Sequence, residues 1–135
     1  MKTMKSSQDM MLLLGRVFLS LMFIMAGGTK ISTFAATAAD MTARQVPYSE
    51  ILLVIAIIME LGGGLMVLLG YRARFGAALL FLFIIPVSYF FHDFWNLTGV
   101  ASSEQMYHLL KNITILGGLL YVMTFGAGRY SFDKS

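Results

Sequence analysis

Four long apolar stretches dominate the pattern of hydrophobic and polar positions along the chain. They cover residues 10–28, 51–69, 75–94 and 106–125. A helix rises about 1.5 Å per residue, so about 20 apolar residues cross a hydrocarbon core roughly 30 Å thick. Each stretch is close to that length, and the short turn at 70–74 predicts an antiparallel hairpin of the second and third spans. The pattern therefore predicts an all-α integral membrane protein folded as a four-helix bundle.

The first loop, 29–50, is not simply polar. Phe34, Ala38 and Met41 recur at the spacing of one helix face. One interpretation is a short interfacial or re-entrant helix that ends before Pro47, because the residue preceding a proline is steered away from helical geometry. The other interpretation is an ordinary surface loop.

Composition supports the membrane class and narrows the chemistry. Of the 135 residues, 58% are hydrophobic and 13% are charged, against about 25% charged in a soluble domain. We assign one domain over 1–135. The sequence contains no cysteine, which excludes disulfides, thiol redox chemistry and cysteine-held iron–sulfur clusters. A redox role would need a bound organic cofactor, a metal held by histidine and carboxylate, or a partner protein.

The basic residues predict the orientation. They concentrate at both termini and in the second loop, at Lys2, Lys5, Arg72, Arg74, Arg129 and Lys134. The opposite side holds Lys30 and Arg44. Cytoplasmic loops of membrane proteins carry the excess of lysine and arginine, so both termini are predicted to be cytoplasmic. The net charge of +3 forms no basic stripe, which argues against nucleic-acid binding.

Two spans contain an ionisable side chain at depth. Glu60 is alone in the second span, and Arg16 interrupts the first. A charge there costs several kcal/mol unless it is paired or faces a cavity, and such residues are candidates for function. From the helix rise, Arg16 lies roughly 9 Å and Glu60 roughly 13 Å from the same membrane face. We therefore predict an Arg16–Glu60 ion pair, which either fixes helix register or belongs to a site.

Polar or small residues also recur at helical spacing, which predicts an inward face on three of the spans. The stripe of the first span is Arg16, Ser20, Phe23, Gly27 and Lys30. That of the second span is Ala56, Glu60, Gly63 and Gly64, and that of the fourth span is Tyr107, Lys111, Thr114, Gly118 and Tyr121.

A second polar group gathers where the third span ends and the fourth begins. Its members are His92, Asp93, Trp95, Glu104, His108 and Lys111. Imidazoles and carboxylates are metal-ligand types, but the spacing matches no established metal motif, and we assign no metal. The alternatives are interfacial residues with Trp95 in the aromatic belt, or an outward-opening pocket for a polar headgroup lined by His92, Asp93 and Lys111.

Seven short motifs follow one another along nearly the whole chain. They are Gly15-Arg16 with Gly27-Gly28-Thr29-Lys30, Val46-Pro47, Glu60-Leu61-Gly62-Gly63-Gly64, Gly70-Tyr71-Arg72-Ala73-Arg74, His92-Asp93-Phe94-Trp95, Lys111-Asn112 with Gly117-Gly118-Leu119-Leu120, and the tail Gly126-Ala127-Gly128-Arg129-Tyr130-Ser131-Phe132-Asp133. In this order they resemble the DoxX family of small four-span bacterial membrane proteins.

The resemblance implies a multi-pass protein of the bacterial inner membrane and an association with quinone-linked oxidoreduction. Some family members are named as subunits of thiosulfate:quinone oxidoreductase. Carried onto this chain, the resemblance implies a ligand site and no assigned catalytic residue; its candidates are Arg16, Lys30, Glu60, His92, Asp93, Trp95, Lys111 and Asn112.

Two functions from different classes stay open. In the first, the chain is a quinone-interacting subunit of a membrane oxidoreductase system, and a soluble or membrane partner supplies the electrons. Alternatively, it is a non-enzymatic membrane module that binds a lipid or amphiphile, or scaffolds a redox complex. A small transporter is a third class, but four spans are few for one without a homo-oligomer, and no inverted repeat is evident.

Overall fold

Five α-helices make up most of residues 6–133, the part of the chain that the computed structural model describes. They are α1 (Ser6–Ser32), α2 (Phe34–Ala43), α3 (Ser49–Leu69), α4 (Ala73–Phe91) and α5 (Gly99–Phe125), with a single 3-10 turn at Phe94–Asn96 before α5. No strand occurs among these residues. The predicted all-α fold class is confirmed.

Four of the helices, α1, α3, α4 and α5, are long and apolar enough to cross a membrane. The predicted spans lie on them, but α1 and α5 are longer than predicted, at 27 residues each. Their polar ends extend the helix beyond the apolar stretch, because backbone hydrogen bonding does not stop where hydropathy falls. In contrast, α4 ends at Phe91, slightly before the predicted boundary at residue 94.

The first loop contains a helix, α2, and the surface-loop interpretation is wrong. Ala38 and Met41 on its inner face are buried, and they pack with Val46 and Leu53 of the following segment. This small cluster holds α2 against one end of the bundle, which we call the loop end. The opposite end carries the α3–α4 turn together with the first and last of the described residues, and we call it the termini end.

The long helices pack in the order α1, α3, α4, α5, and α1 meets α5 at few places. Small residues allow the closest approach. At Gly63 a Cβ atom would lie 3.0 Å from the carbonyl oxygen of Gly76, and at Gly27 it would lie 2.6 Å from Cγ of Leu61. The predicted small-residue face of α3 therefore packs inward. The weak α1–α5 contact leaves a groove along one side of the bundle, called here the α1–α5 groove.

The predicted inward stripe of α5 is correct only in part. Lys111, Thr114, Gly118 and Tyr121 line cavities between α1 and α5, but the stripe does not enter the packed core. Tyr107 is 61% exposed and Tyr121 is 70% exposed, whereas Leu119 and Val122 are the buried side chains of this helix. Because α1 does not cover α5, part of the stripe borders the α1–α5 groove and does not enter the core. Lys111 and Gly118 are among the residues that line this opening.

Candidate functional site

Lys30 and Glu60 form a salt bridge between α1 and α3. Lys30 Nζ lies 2.7 Å from Oε2 of Glu60, whose side chain is 4% exposed. In every helix the Cα–Cβ bonds tilt toward the N-terminus. Since α1 and α3 run antiparallel, the two side chains lean toward each other. The Lys30 ammonium also lies 5.7 Å from the ring centroid of Phe83 on α4, so three helices meet at this ion pair.

The predicted Arg16–Glu60 pair is wrong. Arg16 Nη1 donates to the carbonyl oxygens of Val67 at 3.1 Å and Leu68 at 2.9 Å, and Nη2 donates to that of Tyr130. The last carbonyls of a helix have no partner within the helix. Arg16 therefore satisfies the end of α3, about two helical turns away from Glu60. The prediction rested on the depths of Arg16 and Glu60 in their spans. It did not take into account Lys30 or the carbonyl groups at the end of α3.

The C-terminal tail, residues 126–133, completes this arrangement at the termini end. The carboxylate of Asp133 accepts hydrogen bonds from the backbone N–H groups of Arg72 at 2.8 Å and Ala73 at 2.9 Å. These are the first donors of α4, where a carboxylate is favourable. The N–H of Asp133 in turn donates to the carbonyl oxygen of Gly70 at 2.8 Å. Arg16 and the tail thus form a structural network, which we call the Arg16 network.

A cavity of about 480 Å³ opens beside the Lys30–Glu60 pair. Its size is within the usual range for a small-molecule site, about 300–1,000 Å³. Its polar and charged lining residues are Lys30, Glu60, His92, His108, Lys111, Asn112 and Thr114. Its apolar lining residues are Met22, Phe23, Phe83, Ile84, Val87 and Ile115. We call this the polar cavity, and it unites five of the eight candidate residues that the sequence suggested.

Two histidines close the loop end of the polar cavity. The rings of His92 and His108 are stacked, with centroids 5.2 Å apart and an interplanar angle of 21°. Nδ1 of His92 lies 2.8 Å from Oε1 of Gln105. Because a carbonyl oxygen only accepts, this ring donates from Nδ1, and its Nε2 is an acceptor when the ring is neutral. Asn112 is oriented by a hydrogen bond to Ser88 at 3.0 Å.

His108 and Gln105 are functional candidates that the sequence-based site left out. His108 lies four residues before Asn112, so both share one face of α5. Gln105 lies one turn before His108 on the same face. The helical spacing of His108 and Gln105 from Asn112 could therefore have predicted that both belong to the site.

Asp93 and Trp95 lie outside the polar cavity. They line a separate cavity of about 390 Å³ with Arg44, Gln45, Tyr89 and Asn96. The predicted grouping of His92, Asp93 and Lys111 in one pocket is therefore wrong for Asp93. Helical geometry ends at Phe91, so His92 and Asp93 are not related by a helix face, and they line different cavities.

The charges of the polar cavity favour a ligand with oxygen atoms that accept hydrogen bonds. Lys30 and Lys111 supply two cations, and Glu60 supplies one anion. Within residues 6–133 no group of three or more histidine, cysteine, aspartate or glutamate side chains is placed to hold a metal ion. The donors that converge here, ammonium groups, imidazoles and an amide, suit carbonyl or phosphate oxygens.

Comparison with known proteins supports the family suggested by the motifs. The model of the DoxX family matches residues 11–93. The chain belongs to the DoxX family. The match covers Arg16, Lys30, Glu60 and His92, but ends before α5, which contributes His108, Lys111 and Asn112 to the polar cavity.

Two curated relatives span nearly the full length. The chain is 34% identical to inner membrane protein YqjF of Escherichia coli over 97% of its own length and 95% of that protein. It is 28% identical to inner membrane protein YphA of the same organism, over 96% and 92%. A surfeit locus protein 4 homolog of Schizosaccharomyces pombe is 31% identical over 51% of the chain and 24% of that protein. No solved structure matches. With its four apolar helices, this DoxX-family chain is a multi-pass inner membrane protein.

Proposed function

We propose that the polar cavity binds the headgroup of a quinone, and that the chain acts as a quinone-interacting subunit of a membrane oxidoreductase system. The observation that carries this proposal is the meeting of Lys30, Glu60, the two histidines, Lys111 and Asn112 at one end of an otherwise apolar cavity. A quinone headgroup needs this combination, because its ring is flat and apolar while its two carbonyl oxygens accept hydrogen bonds.

The α1–α5 groove supplies room for an isoprenoid tail. A further, mostly apolar cavity of about 500 Å³, with Arg16 in its lining, follows the groove toward the termini end. It shares Met22 and Ile115 with the polar cavity, so the two spaces adjoin. A headgroup among the polar residues would thus be continuous with a tail lying between α1 and α5.

The chemistry divides between this chain and a partner. Reduction of a quinone to a quinol takes two electrons and two protons, and we propose that a redox partner protein supplies the electrons. In this arrangement Lys111 and His108 hold a carbonyl oxygen. Lys30 donates a hydrogen bond to Glu60, and in this proposal the pair relays protons to the ring. No electron carrier is required within this chain.

Binding of a short-chain ubiquinone to the purified protein in nanodiscs tests the proposal directly. Lys111→Met removes one charged donor, and we expect about tenfold weaker binding, because hydrogen bonds from charged groups contribute about 1.5–3 kcal/mol. The matched control is Tyr107→Phe on the same helix, at a side chain that is 61% exposed. Failure of the wild-type protein to bind the quinone, or equal binding by Lys111→Met, would refute the proposal.

The second candidate is a non-enzymatic membrane module that binds a lipid or another amphiphile in the same cavity, or scaffolds a redox complex. The α1–α5 groove favours it, because it opens the cavity toward the bilayer. A partner or a second copy of the chain would meet the outer face of α5, where Leu110, Ile113 and Leu120 are exposed. Quinol formation after reconstitution with membrane extract separates the two: a bound quinone that is never reduced supports the module.

A further inference from the structure

A second polar cavity lies on the opposite side of the loop end, between the end of α2 and the end of α4. Its volume is about 390 Å³, and Arg44, Tyr89, Asp93 and Trp95 are among the residues that line it. None of them lines the polar cavity beside Glu60. We call this second space the α2–α4 cavity, and the proposed quinone chemistry makes no use of it.

The cation of the α2–α4 cavity is held in place by its neighbours. Arg44 Nη1 donates to the carbonyl oxygen of Phe90 at 3.3 Å. Its Nε lies 3.3 Å from a carboxylate oxygen of Asp40. The guanidinium also stacks 4.8 Å from the ring centroid of Phe91. Its side chain nevertheless stays 35% exposed, so a fixed cation faces the cavity and can still be reached.

The same cavity is also lined by an anion and two aromatic rings. Asp93 is oriented by a hydrogen bond from Nδ2 of Asn96 at 2.9 Å. The rings of Tyr89 and Trp95 lie 6.0 Å apart at an angle of 41°. A carboxylate next to tilted aromatic rings is a favourable environment for an ammonium group, through charge and through the negative faces of the rings.

An apolar groove of about 190 Å³ adjoins the α2–α4 cavity. Phe90 lines both spaces, and Val46 of the groove follows Gln45 of the cavity in the chain. The groove is also lined by Met41 of α2 and by side chains of α3 and α4 such as Ile55 and Leu82. A polar space at the membrane interface therefore continues into an apolar space that points along the helices.

From this arrangement we infer that the α2–α4 cavity binds one bilayer glycerophospholipid with a zwitterionic headgroup. Arg44 receives the phosphate, Asp93 with Tyr89 and Trp95 receives the ammonium, and one acyl chain enters the apolar groove. Opposite charges in the lining of one cavity match a phosphate and an ammonium that are joined by a short linker. A headgroup that carries only negative charge would gain Arg44 but would place no cation against Asp93.

Trp95 makes the test direct, because it is the single tryptophan of the sequence. The full-length protein is reconstituted in phosphatidylglycerol vesicles. Phosphatidylethanolamine, phosphatidylcholine or phosphatidylglycerol with brominated acyl chains is then added, and quenching of Trp95 fluorescence is measured. We expect the zwitterionic lipids to compete for the site about threefold more strongly than phosphatidylglycerol, as suits a partly exposed charge pair.

The variants Arg44→Gln and Asp93→Asn should each bring this preference close to one, while circular dichroism confirms that they remain helical. Lys111→Met, in the other cavity, should leave it unchanged, so the result does not depend on quinone binding. Stronger quenching by phosphatidylethanolamine than by phosphatidylcholine would indicate that the ammonium group also donates hydrogen bonds to Asp93. Equal quenching by the two lipids would indicate that the site recognises the charges alone. Quenching by phosphatidylglycerol as strong as by the zwitterionic lipids, or a preference that survives both substitutions, would overturn the inference.

Discussion

Arg16 and Lys30 are two cations on one face of α1, and they differ in what their charge is used for. Arg16 lies at the termini end and donates to three backbone carbonyls of α3 and the tail. Lys30 lies at the loop end and pairs with Glu60 beside a cavity of about 480 Å³. A charge within a membrane span is thus structural when the backbone takes up its hydrogen bonds. It is a candidate for ligand binding when its partner faces free space.

Arg16→Met should have the largest effect on stability. It removes a donor from three carbonyl oxygens, of which that of Val67 keeps the N–H of Gly70 at 3.3 Å. A buried acceptor left without a donor costs about 1–3 kcal/mol, so we expect a loss of about 3 kcal/mol. The measurement is reversible unfolding in mixed micelles. Arg16→Lys is the control and should restore only part of the loss, since an ammonium lacks the planar fork of a guanidinium. An unchanged unfolding midpoint in Arg16→Met would mean that the network is not structural.

Glu60→Gln should cost less, about 1–2 kcal/mol, because an amide still accepts a hydrogen bond from Lys30 and interhelical polar contacts in membranes are of modest strength. A double-mutant cycle with Lys30→Met measures their coupling. We also expect weaker quinone binding, which Asp133→Asn should not show, because Asp133 lines neither of the two cavities of the proposed quinone site. If Glu60→Gln changed unfolding but left binding intact, the Lys30–Glu60 pair would be structural like Arg16.

Asp133→Asn should lower the free energy of unfolding by about 1 kcal/mol, the usual contribution of a helix N-cap. The carboxylate bonds two N–H groups at the start of α4, and an amide offers a single oxygen. The same unfolding experiment measures the change. Because Asp133 belongs to the termini end, quinone affinity should stay at the wild-type value; a parallel fall in affinity would show that the two ends are coupled.

Gly118→Leu should have the smallest effect on stability and a selective effect on binding. A Cβ atom at Gly118 would meet Leu19 at 3.4 Å, an ordinary contact, but a full leucine side chain would obstruct the α1–α5 groove. We expect a long-tail ubiquinone to bind several-fold more weakly while a short-chain analogue binds normally. Gly117→Leu is the matched control, since nothing lies within 4 Å of its Cβ position. Equal binding of the long-tail quinone by both variants would place the tail elsewhere.

The helices were predictable because each depends on local pattern. Apolar runs of membrane length predicted α1, α3, α4 and α5, and the spacing of Phe34, Ala38 and Met41 was enough to suggest α2. The candidate site was predictable in part: Lys30, Glu60, His92, Lys111 and Asn112 do share a cavity. Asp93 and Trp95 were assigned to the same site because they belong with His92 to one motif of the family resemblance, but they line a different cavity.

The sequence by itself determined which segments are helical, which residues carry charge into the membrane and which family the chain resembles, because hydropathy, spacing and short motifs are properties of neighbouring residues. Tertiary structure decided that Lys30 pairs with Glu60, that Arg16 serves the end of α3, and that α5 stands apart from α1. These outcomes depend on which helices are neighbours and on their offset along the bundle axis. Side-chain packing between helices sets both, and no single span contains that information.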